Sequence, residues 1–473
     1  MTRKPPPESN ATRRAKSATA PGVAARLVAF DLLRAVHEGD AYANLVLPKL
    51  LAASTLDERD RGLAAELGYG ALRAEGTLDH VIAGCIDRPL PDVDSAVLDV
   101  LRLGVYQLLR TRVGAHAAVS TSVDLTRTVV GEGAAKFVNA VLRMVARRGG
   151  DLPAPDRASD PIGHLAITYA HPRWIVSAFK DALGGDLDQT ELALAASDAR
   201  PAVHLVARPG RITTAELIDA CQDMGYAAAP GPWSPYAVRL DGGDVTALQP
   251  IRDGRAGVQD EGSQLAAVVA ARAATGPRLL DLCAGPGGKA ALLAGLLRDV
   301  PGGRLVAVEP YAHRAALVRR SLAAATAGSD LPAVAVQADG LVPAWPRSAY
   351  DAVLVDAPCT GLGALRRRPE ARWRRQPADV PALGELQRAL LATAIESTRP
   401  GGRIVYVVCS PHLAEGRVIV GDALKRRSDV VAVDVRELLP ELPHLGAGPT
   451  VQLWPHLHGT DAMFVAMLER RSP

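Results

Sequence analysis

Short β-rich runs alternate with helical stretches along the last part of the chain, from residue 258 onwards. The runs are RLLDLC (278–283), RLVAVE (304–309), AVAVQA (333–338), DAVLVD (351–356) and RIVYVVC (403–409). Strands that alternate with helices predict a parallel, doubly wound sheet. Ligands of such sheets bind at the carboxyl ends of the strands. The candidates for chemistry are therefore the residues at or just after those ends: Cys283, Glu309, Asp339, Asp356 and Cys409.

The chain has 473 residues, more than one ordinary domain, and its pattern changes along its length. Residues 23–150 have helical periodicity and predict an all-helical bundle. Residues 151–257 begin with a linker rich in Pro and Asp, DLPAPDRASDP, and continue as a small α+β subdomain. Residues 258–473 form the predicted α/β domain.

The composition excludes several classes of protein. No apolar run approaches the ~18–20 residues of a membrane helix, and the basic start lacks the apolar stretch of a secretory signal. Five cysteines without a CxxC pair argue against a disulfide framework and against a zinc finger. We therefore expect a cytoplasmic protein with reduced thiols, no bound metal and no membrane partner.

A glycine-rich turn, DLCAGPGGKA, follows the first run and opens a helix. Glycines let the backbone approach a ligand, and a helix start offers free N–H groups. The turn matches neither the Walker pattern nor GxGxxG. By itself it fits a purely structural strand–helix turn as well as a ligand site.

Two acidic residues make the ligand interpretation more specific. Glu309 ends the next run, about 20 residues after Gly288, where a carboxylate commonly binds ribose hydroxyls. Asp339 follows the third run, where a carboxylate can accept from an exocyclic amino group. Together with the turn they predict a cofactor that contains adenosine.

The segment DAPCTGLGALRRRPEARWRR places Asp356 and Cys359 on either side of Pro358, which holds an extended turn. Six arginines lie between residues 366 and 375, with Trp373 among them. Arginine forks pair with phosphates, and an aromatic ring stacks on a base. A charge run is usually a solvated face, but this one leaves directly from the predicted ligand edge, which favours phosphate contacts.

Cys409 ends the last run, at the same edge. A free cysteine is most often a small buried apolar residue, and that interpretation suits Cys85 and Cys221. At a ligand edge with arginines nearby, a thiol pKa is lowered and the thiolate fraction rises. A thiolate that adds to carbon 6 of a pyrimidine makes carbon 5 nucleophilic enough to accept a methyl group. A base then removes the proton from carbon 5 and the thiol leaves.

DLCAGPGGK, DAPCTGLGALRRRPEARW and VVCS resemble the motifs of bacterial RNA cytosine-5 methyltransferases of the RsmB/Sun type. VQDEGSQLAA (258–267) and PHLHGTDAMFVAML (455–468) are similar to two further family signatures. The helical segment from LRLGVYQLLR to KFVNAVLR is similar to the NusB-like RNA-binding domain of these enzymes. The resemblance covers nearly the whole chain from about residue 24.

The resemblance implies a NusB-like bundle, a small α+β subdomain and a Rossmann-like methyltransferase domain, in a monomer. It implies S-adenosylmethionine as the cofactor and a cytosine in 16S ribosomal RNA as the substrate. The segment expected to line the cofactor site consists of Cys283, Ala284, Gly285, Pro286, Gly287, Gly288 and Lys289.

The resemblance also assigns roles to single residues. Glu309 would bind the ribose and Asp339 would lie near the adenine. Asp356 would face the cofactor methyl and the target cytosine, and Lys289 would assist at the base. Cys409 would be the nucleophile and Cys359 would help the product leave. The residues expected to contact RNA phosphates are Arg366, Arg367, Arg368 and Arg372.

Two features depart from the family pattern. Val408 precedes Cys409 where Thr is frequent, and SPHLAEGR follows it in place of a PEEN-like sequence. This affects the contacts of that loop but not the thiol. Gly285 stands where the family usually has Ala.

Three alternatives remain open at this stage. In the first, the chain is a non-enzymatic RNA-binding or antitermination factor. In the second, Cys359 is the nucleophile, as in DNA cytosine methyltransferases. In the third, the substrate is transfer RNA.

The start of the chain is also open to two interpretations, since residues 1–22 have five Lys or Arg and one Glu and too little apolar surface for a core. They are either a solvated, disordered tail or a basic arm that contacts RNA phosphates.

Overall fold

The computed structural model describes residues 22–149 and 154–472. The predicted basic arm, residues 1–22, therefore lies almost entirely outside the described residues. The chain divides into two compact units. The first contains the residues up to Ser177 together with Asp186–Ala199 and Leu365–Arg374, and the second contains the remainder. In the described parts, no helix is long and apolar enough to cross a membrane.

The first unit is helical, as its periodicity predicts. Its helices are α1 (Ala24–His37), α2 (Ala43–Ala53), α3 (Glu58–Ala83), α4 (Ser95–Arg110), α5 (Ala115–Val129) and α6 (Glu132–Arg148). Asp57 and Asp94 accept hydrogen bonds from the first-turn amides of α3 and α4, which satisfies donors that lack a partner within the helix. Gly149 ends α6 in the left-handed conformation. The all-helical prediction for this part of the chain is confirmed.

Three helices come next, where the sequence indicates a mixture of strands and helices. They are α7 (Pro161–Thr168), α8 (Arg173–Ala182) and α9 (Leu187–Asp198). Asp160 caps α7 and Pro161 is its first residue, a position where the missing N–H of proline costs nothing. Of the predicted linker, residues 151–153 lie outside the described residues.

A small antiparallel sheet begins the main part of the second unit. Its strands β1 (Val203–Ala207), β2 (Ala228–Pro230), β3 (Ala237–Leu240) and β4 (Ala256–Val258) have the order β2-β3-β1-β4. The helices α10 (Thr214–Gln222) and α11 (Gln249–Arg252) accompany it. Cys221 is fully buried in the core of this sheet and Cys85 is buried in the helical unit, so both are apolar packing residues as expected.

A larger sheet forms the centre of the second unit, with the strand order β10-β12-β9-β8-β5-β6-β7. Its strands are β5 (Arg278–Asp281), β6 (Arg304–Val308), β7 (Ala333–Val336), β8 (Tyr350–Asp356), β9 (Thr398–Val408), β10 (Val430–Val433) and β12 (Phe464–Arg470), and the two-residue β11 (Val451–Gln452) pairs with β12. The five predicted strands β5–β9 are parallel, as expected. The antiparallel strands β10–β12 were not predicted, and they make the sheet mixed.

The sheet is covered on both faces. Helices α12 (Glu261–Ala273), α13 (Gly288–Leu297) and α14 (Ala312–Thr326) contribute to one core, and α16 (Asp379–Ser397) and α17 (Arg417–Arg426) contribute to the other. Successive residues of β8 alternate between the two cores, as the two-residue period of a strand requires. Two further short α-helices are α15 (Ala371–Arg374) and α18 (Pro455–His458). The predicted three-part fold, with a bundle, a small α+β part and a Rossmann-like sheet, is confirmed.

Candidate active site

The chain reverses direction across the large sheet between β5 and β8. From β5 the chain runs outward through β6 to β7, and it then returns to β8 on the other side of β5. The carboxyl ends of β5 and β8 therefore border the crevice where doubly wound sheets bind ligands. The glycine-rich turn follows β5, and Asp356 ends β8.

The glycine-rich turn leads directly into α13, which begins at Gly288. Gly287 has φ of 110°, a conformation that side chains with a Cβ rarely adopt. A Cβ there would also lie 3.0 Å from the Cα of Val318 in α14. Glycine is thus required at this position, and α13 begins directly after it, so its first amide groups lack intrahelical partners.

Glu309 lies beside this turn and is only 3% exposed. It accepts a hydrogen bond from the backbone N–H of Tyr311 at 3.0 Å, and its Oε2 lies 3.5 Å from Nε of Arg314. Arg314 also donates to the carbonyl oxygen of Gly285 at 2.8 Å. Arg314 thereby ties the predicted ribose carboxylate to the glycine-rich turn. Its role is not evident from the sequence, where it is one arginine among several in a helix.

Asp339 is exposed after β7, and its carboxylate accepts from the backbone N–H of Leu341 at 2.9 Å. That hydrogen bond fixes the carboxylate at the end of the strand. The role of Asp339 near an adenine remains a prediction.

Lys289 and Asp356 form an ion pair at the end of β8, with 2.8 Å between Nζ and Oδ2. Burial lowers the pKa of the Lys289 ammonium group, but the charge of Asp356, the hydrogen bond with it and the charges of Cys409 and Asp281 together raise that pKa above its usual value. Cys409 contributes in the same direction, so the ammonium group also lies within electrostatic range of this thiol. Two residues that the sequence places 67 positions apart thus form one charged pair beside the cysteine.

Cys359 and Cys409 lie side by side, with 3.4 Å between their Sγ atoms. Cys359 belongs to the turn after β8, and Cys409 directly follows β9, the neighbouring parallel strand. The hydrogen bond with Cys409, followed by burial and the charge of Cys409, raises the pKa of the Cys359 thiol well above its ordinary value. Cys359 therefore keeps its proton at neutral pH.

A buried carboxylate holds the two cysteine loops together. Glu415 is fully buried and accepts from the backbone N–H of Thr360 at 2.7 Å and from the Thr360 hydroxyl. Gln387 donates to Glu415 at 3.2 Å and to the carbonyl oxygen of Pro358 at 2.8 Å. The hydroxyl groups of Thr360 and Ser410 lie 3.2 Å apart. The unusual sequence SPHLAEGR after Cys409 therefore still anchors the loop, through Ser410 and Glu415.

Sequence reasoning missed two polar residues beside the glycine-rich turn. Asp281 ends β5 and is fully buried, and neither of its carboxylate oxygens has a hydrogen-bond partner among the described residues. Gln259 lies beside Gly288, and its buried Oε1 also has no partner in the described part of the chain. The signal for Asp281 was its place at the end of a strand, two residues before Cys283. Within the described ranges, no group of three or more His, Cys, Asp or Glu side chains is arranged to hold a metal ion.

The arginine run departs most from expectation. Leu365–Arg374 belongs to the first unit, and there Arg372 is 0% exposed. Its guanidinium group donates to the carbonyl oxygens of Arg73 at 2.6 Å and Ser197 at 2.7 Å, and lies 3.2 Å from the carboxylate of Asp198. The prediction that Arg372 contacts phosphates is therefore wrong, because the side chain satisfies buried carbonyl groups.

The other three arginines of the predicted contact set differ in exposure. Arg366 is buried as well, at 7% exposure, so it offers little surface to a phosphate. Arg367 is half-buried and Arg368 is exposed. The Arg368 guanidinium lies 5.5 Å from the centre of the Tyr42 ring, a cation–π distance. Only Arg367 and Arg368 keep a surface that RNA phosphates can reach, and their role stays a prediction.

Family models match three parts of the chain. The model of the 16S rRNA methyltransferase RsmB/F family matches residues 269–469, that of the NusB family matches residues 23–147, and that of the RsmF/B-like ferredoxin-like domain matches residues 171–246.

Named relatives match over most of their length. The chain is 55% identical over 460 residues to the putative methyltransferase Rv1407 of Mycobacterium tuberculosis, covering 94% of this chain and 96% of that protein. It is 32% identical to the ribosomal RNA small subunit methyltransferase B of Pseudomonas putida, covering 87% and 91%. The probable ribosomal RNA small subunit methyltransferase B of Bacillus subtilis is 29% identical, with 94% and 98% covered.

Two solved structures share the fold. The crystal structure of PH0851 superposes with a TM-score of 0.78 at 21% identity and covers 94% of this chain and 98% of that one. The structure of NSun6 from Pyrococcus horikoshii with SFG has a TM-score of 0.55 at 18% identity, over 64% of this chain and 100% of that one.

Proposed function

The chain belongs to the RsmB/F family of 16S rRNA methyltransferases, which depend on S-adenosylmethionine, and we propose that it methylates carbon 5 of a cytosine in 16S ribosomal RNA through a covalent bond to Cys409. Family membership confirms the resemblance drawn from the motifs.

The pair of thiols supports this chemistry over other methyl transfers. A methyltransferase that acts on an already nucleophilic atom has no need of a thiol. Here two thiols lie 3.4 Å apart at the ligand edge, close enough for both to contact one pyrimidine ring. Carbon 5 of cytosine is a weak nucleophile, and a thiol adduct at carbon 6 is what activates it.

The residues at the end of β5 and β6 fit S-adenosylmethionine. The free amide groups at the start of α13 offer hydrogen-bond donors to a ligand, and the carboxylates of Asp281 and Glu309 offer acceptors. The residues Cys283–Lys289, Glu309 and Asp339 would hold the cofactor. When bound, S-adenosylmethionine supplies an electrophilic methyl group.

The residues of this chain divide the reaction between them. The Cys409 thiolate adds to carbon 6 of the cytosine, and the electron pair moves to carbon 5, which takes up the methyl group. The proton on carbon 5 is then removed to a base, the carbon 5–carbon 6 double bond re-forms, and sulfur leaves carbon 6. The Lys289 ammonium group, held by Asp356, is a positive charge within electrostatic range of Cys409, and it stabilises negative charge that develops on the cytosine ring.

Cys359 suits the release step better than the attack. The pKa of its thiol is raised by the hydrogen bond with Cys409 and by burial, so it holds a proton where a nucleophile needs to lose one. Once Cys409 is bonded to carbon 6 it carries no charge, so its contribution to the raised pKa of Cys359 is gone. Cys359 can then lose its own proton to solvent and take the proton from carbon 5, which lets the Cys409 sulfur leave carbon 6 as a thiolate. This division of roles is the opposite of that in DNA cytosine methyltransferases.

Bisulfite sequencing tests the proposal. Total RNA from a deletion strain should lack one protected cytosine of 16S ribosomal RNA, and expression of the intact protein should restore it. Expression of Cys409→Ala should leave the cytosine unprotected. A protected site that is lost from transfer RNA, or no lost site at all, would overturn the assignment of substrate and atom.

A further inference from the structure

Cys359 and Cys409 are held in place by different kinds of structure. Cys409 directly follows β9, which pairs with β8 on one side and with β12 on the other. Its carbonyl oxygen also accepts a hydrogen bond from the backbone N–H of Gly363 at 2.9 Å. Cys359 lies in an irregular turn, residues 357–361, which follows β8 and is part of neither a strand nor a helix. The sheet therefore fixes Cys409, whereas the position of Cys359 rests on contacts outside the strand pairing.

Those contacts lead to Glu415. Thr360, the residue after Cys359, donates to the Glu415 carboxylate through its backbone N–H at 2.7 Å and also through its hydroxyl group. On the other side of Cys359, the carbonyl oxygen of Pro358 accepts from the side-chain amide of Gln387 at 2.8 Å. The same amide group donates to Glu415 at 3.2 Å. Both chain neighbours of Cys359 are thus tied, directly or through one side chain, to a single carboxylate.

Glu415 is itself firmly held. Its backbone carbonyl oxygen accepts from the hydroxyl group of Tyr406 in β9 at 2.7 Å, and its backbone N–H donates to the carbonyl oxygen of His412 at 2.9 Å. The side chain of Glu415 is 0% exposed, and a buried carboxylate is stable only where donors bind it. Since Glu415 has no exposed surface, it acts on the chemistry only through the residues that it binds.

The position of Cys359 matters for one step of the proposed reaction. After methyl transfer, carbon 5 carries the methyl group and a proton, and carbon 6 is bonded to the Cys409 sulfur. The Cys359 thiolate takes the proton, the carbon–hydrogen electron pair re-forms the carbon 5–carbon 6 double bond, and the carbon–sulfur pair leaves with Cys409. A base must lie within reach of the proton that it removes. The 3.4 Å between the two sulfur atoms keeps Cys359 beside the adduct.

We propose that Glu415 is the positioning residue of the release step, and that it holds Cys359 beside Cys409 through Thr360 and Gln387. Attack by Cys409 does not depend on it, because the sheet fixes that thiol. The inference rests on the proposed function for the chemistry of release, and it adds the residue that makes the second thiol effective. A positioning role predicts that the covalent adduct accumulates when Glu415 is lost, whereas a purely structural role predicts less adduct and less product together.

The test uses the full-length protein, S-adenosylmethionine and unmethylated 16S ribosomal RNA transcribed in vitro, with adducts resolved on a denaturing gel. Glu415→Ala should accumulate a protein–RNA band and lower turnover by up to roughly a hundredfold, the cost of a misplaced catalytic group. Its affinity for S-adenosylmethionine should equal that of wild type. Glu415→Gln keeps an acceptor oxygen for the Thr360 N–H, so it should release RNA faster than Glu415→Ala and give a weaker band.

A second variant approaches the same turn from the other side. Gln387→Met removes the donor to Pro358 and to Glu415, and it should also accumulate adduct, so it carries the test if Glu415→Ala does not fold. The matched control is Asp351→Asn, which alters a buried carboxylate near the opposite end of β8, where it accepts from the backbone N–H of Arg278 at 2.8 Å. The control should change adduct and product only in proportion to the amount of folded protein.

The position of the thiols is also measurable without RNA. Diamide oxidises two neighbouring thiols to a disulfide and is itself reduced to a hydrazine. The Cys359–Cys409 disulfide, detected by mass spectrometry as a linked pair of peptides, should form more slowly in Glu415→Ala and Gln387→Met than in wild type. In Asp351→Asn it should form at the wild-type rate.

The inference is overturned if both variants oxidise at the wild-type rate and accumulate no adduct, or if Asp351→Asn accumulates as much adduct as they do. Cys359→Ala separates this failure from that of the proposed function. An adduct in Cys359→Ala but in neither of the two variants would leave the cysteine chemistry in place and remove the role of Glu415. If Cys359→Ala forms no adduct, the release chemistry is wrong, and the diamide rates still decide whether Glu415 positions the thiol.

Discussion

The Sγ atoms of Cys359 and Cys409 lie 3.4 Å apart, although 50 residues separate them in the sequence. Parallel pairing of β8 with β9 brings them together, because both thiols follow the carboxyl ends of neighbouring strands. In the proposed mechanism one thiolate is enough to activate a cytosine, so we assign the second thiol to a different step.

Removing each thiol should therefore have a different consequence. Cys359→Ala should still attack and transfer the methyl group but stall at release, leaving protein bonded to RNA as a slow band on a denaturing gel. Cys409→Ala and the double variant should give no band and no methylation. A band with Cys409→Ala instead would exchange the two roles, and full activity in both single variants would make both thiols structural.

Glu309 should contribute directly to cofactor affinity. Glu309→Ala removes an acceptor for ribose hydroxyls and should weaken S-adenosylmethionine binding by about 1.5–3 kcal/mol, the range for hydrogen bonds to a charged group, or roughly ten- to a hundredfold. Calorimetry measures this. Glu385→Ala, which removes an exposed carboxylate from the same unit, is the control and should bind as wild type does. An unchanged dissociation constant for S-adenosylmethionine in folded Glu309→Ala would show that Glu309 does not bind the ribose.

Asp281 should make the stability of the protein depend on pH. Burial, with the neighbouring Asp356 charge, raises the pKa of Asp281 to about 7. An unfolded aspartate has a pKa of about 4, so between about pH 4 and pH 7 the folded state holds a proton that the unfolded state has lost. Stability from this group is therefore complete below pH 4 and is lost as the pH rises through 7.

Asp281→Asn removes that titration. Its free energy of unfolding, relative to wild type, should rise between pH 5 and pH 8 by a few kcal/mol at most, since one pKa unit corresponds to about 1.4 kcal/mol. Urea unfolding at the two pH values measures the change. Asp429→Asn is the control. Its free energy of unfolding relative to wild type should stay constant over this range, because Arg427 lowers the pKa of Asp429 and keeps it ionised. A constant difference for Asp281→Asn would contradict the prediction.

Arg372 should be a stability residue and not an RNA ligand. Arg372→Met leaves the carbonyl groups of Arg73 and Ser197 and the Asp198 carboxylate without their donor, which should cost about 3–5 kcal/mol, as for other broken buried pairs. Arg368→Gln, at an exposed site of the same run, should cost less than about 1 kcal/mol. Chemical denaturation measures the free energy of unfolding of both variants. An Arg372→Met protein of wild-type stability with a flatter salt dependence of RNA binding would restore the phosphate-contact interpretation.

The parallel core of the fold could be predicted because its signal is local. A buried strand such as β8 needs a short β-branched run whatever its partners are, and the helix after it needs its own periodicity. For Gly285, the sequence shows only that a glycine stands where the family usually has alanine. The structure gives the reason, because a Cβ at this position would overlap the Glu309 carboxylate. The antiparallel strands β10–β12 were missed because they are short and are defined by what they pair with.

The sequence by itself determined which residues stand at the ends of strands, and so which side chains face the ligand edge: the glycine-rich turn, Glu309, Asp356 and the two cysteines. Only the tertiary structure decided which of them touch. It joined Lys289 to Asp356, buried Asp281 at the end of β5, and enclosed Arg372 among carbonyl groups. An arginine in a charged run has the same neighbours in sequence whether it faces water or fills the interior. Its surroundings are set by segments up to 299 residues away, whose approach no local pattern encodes.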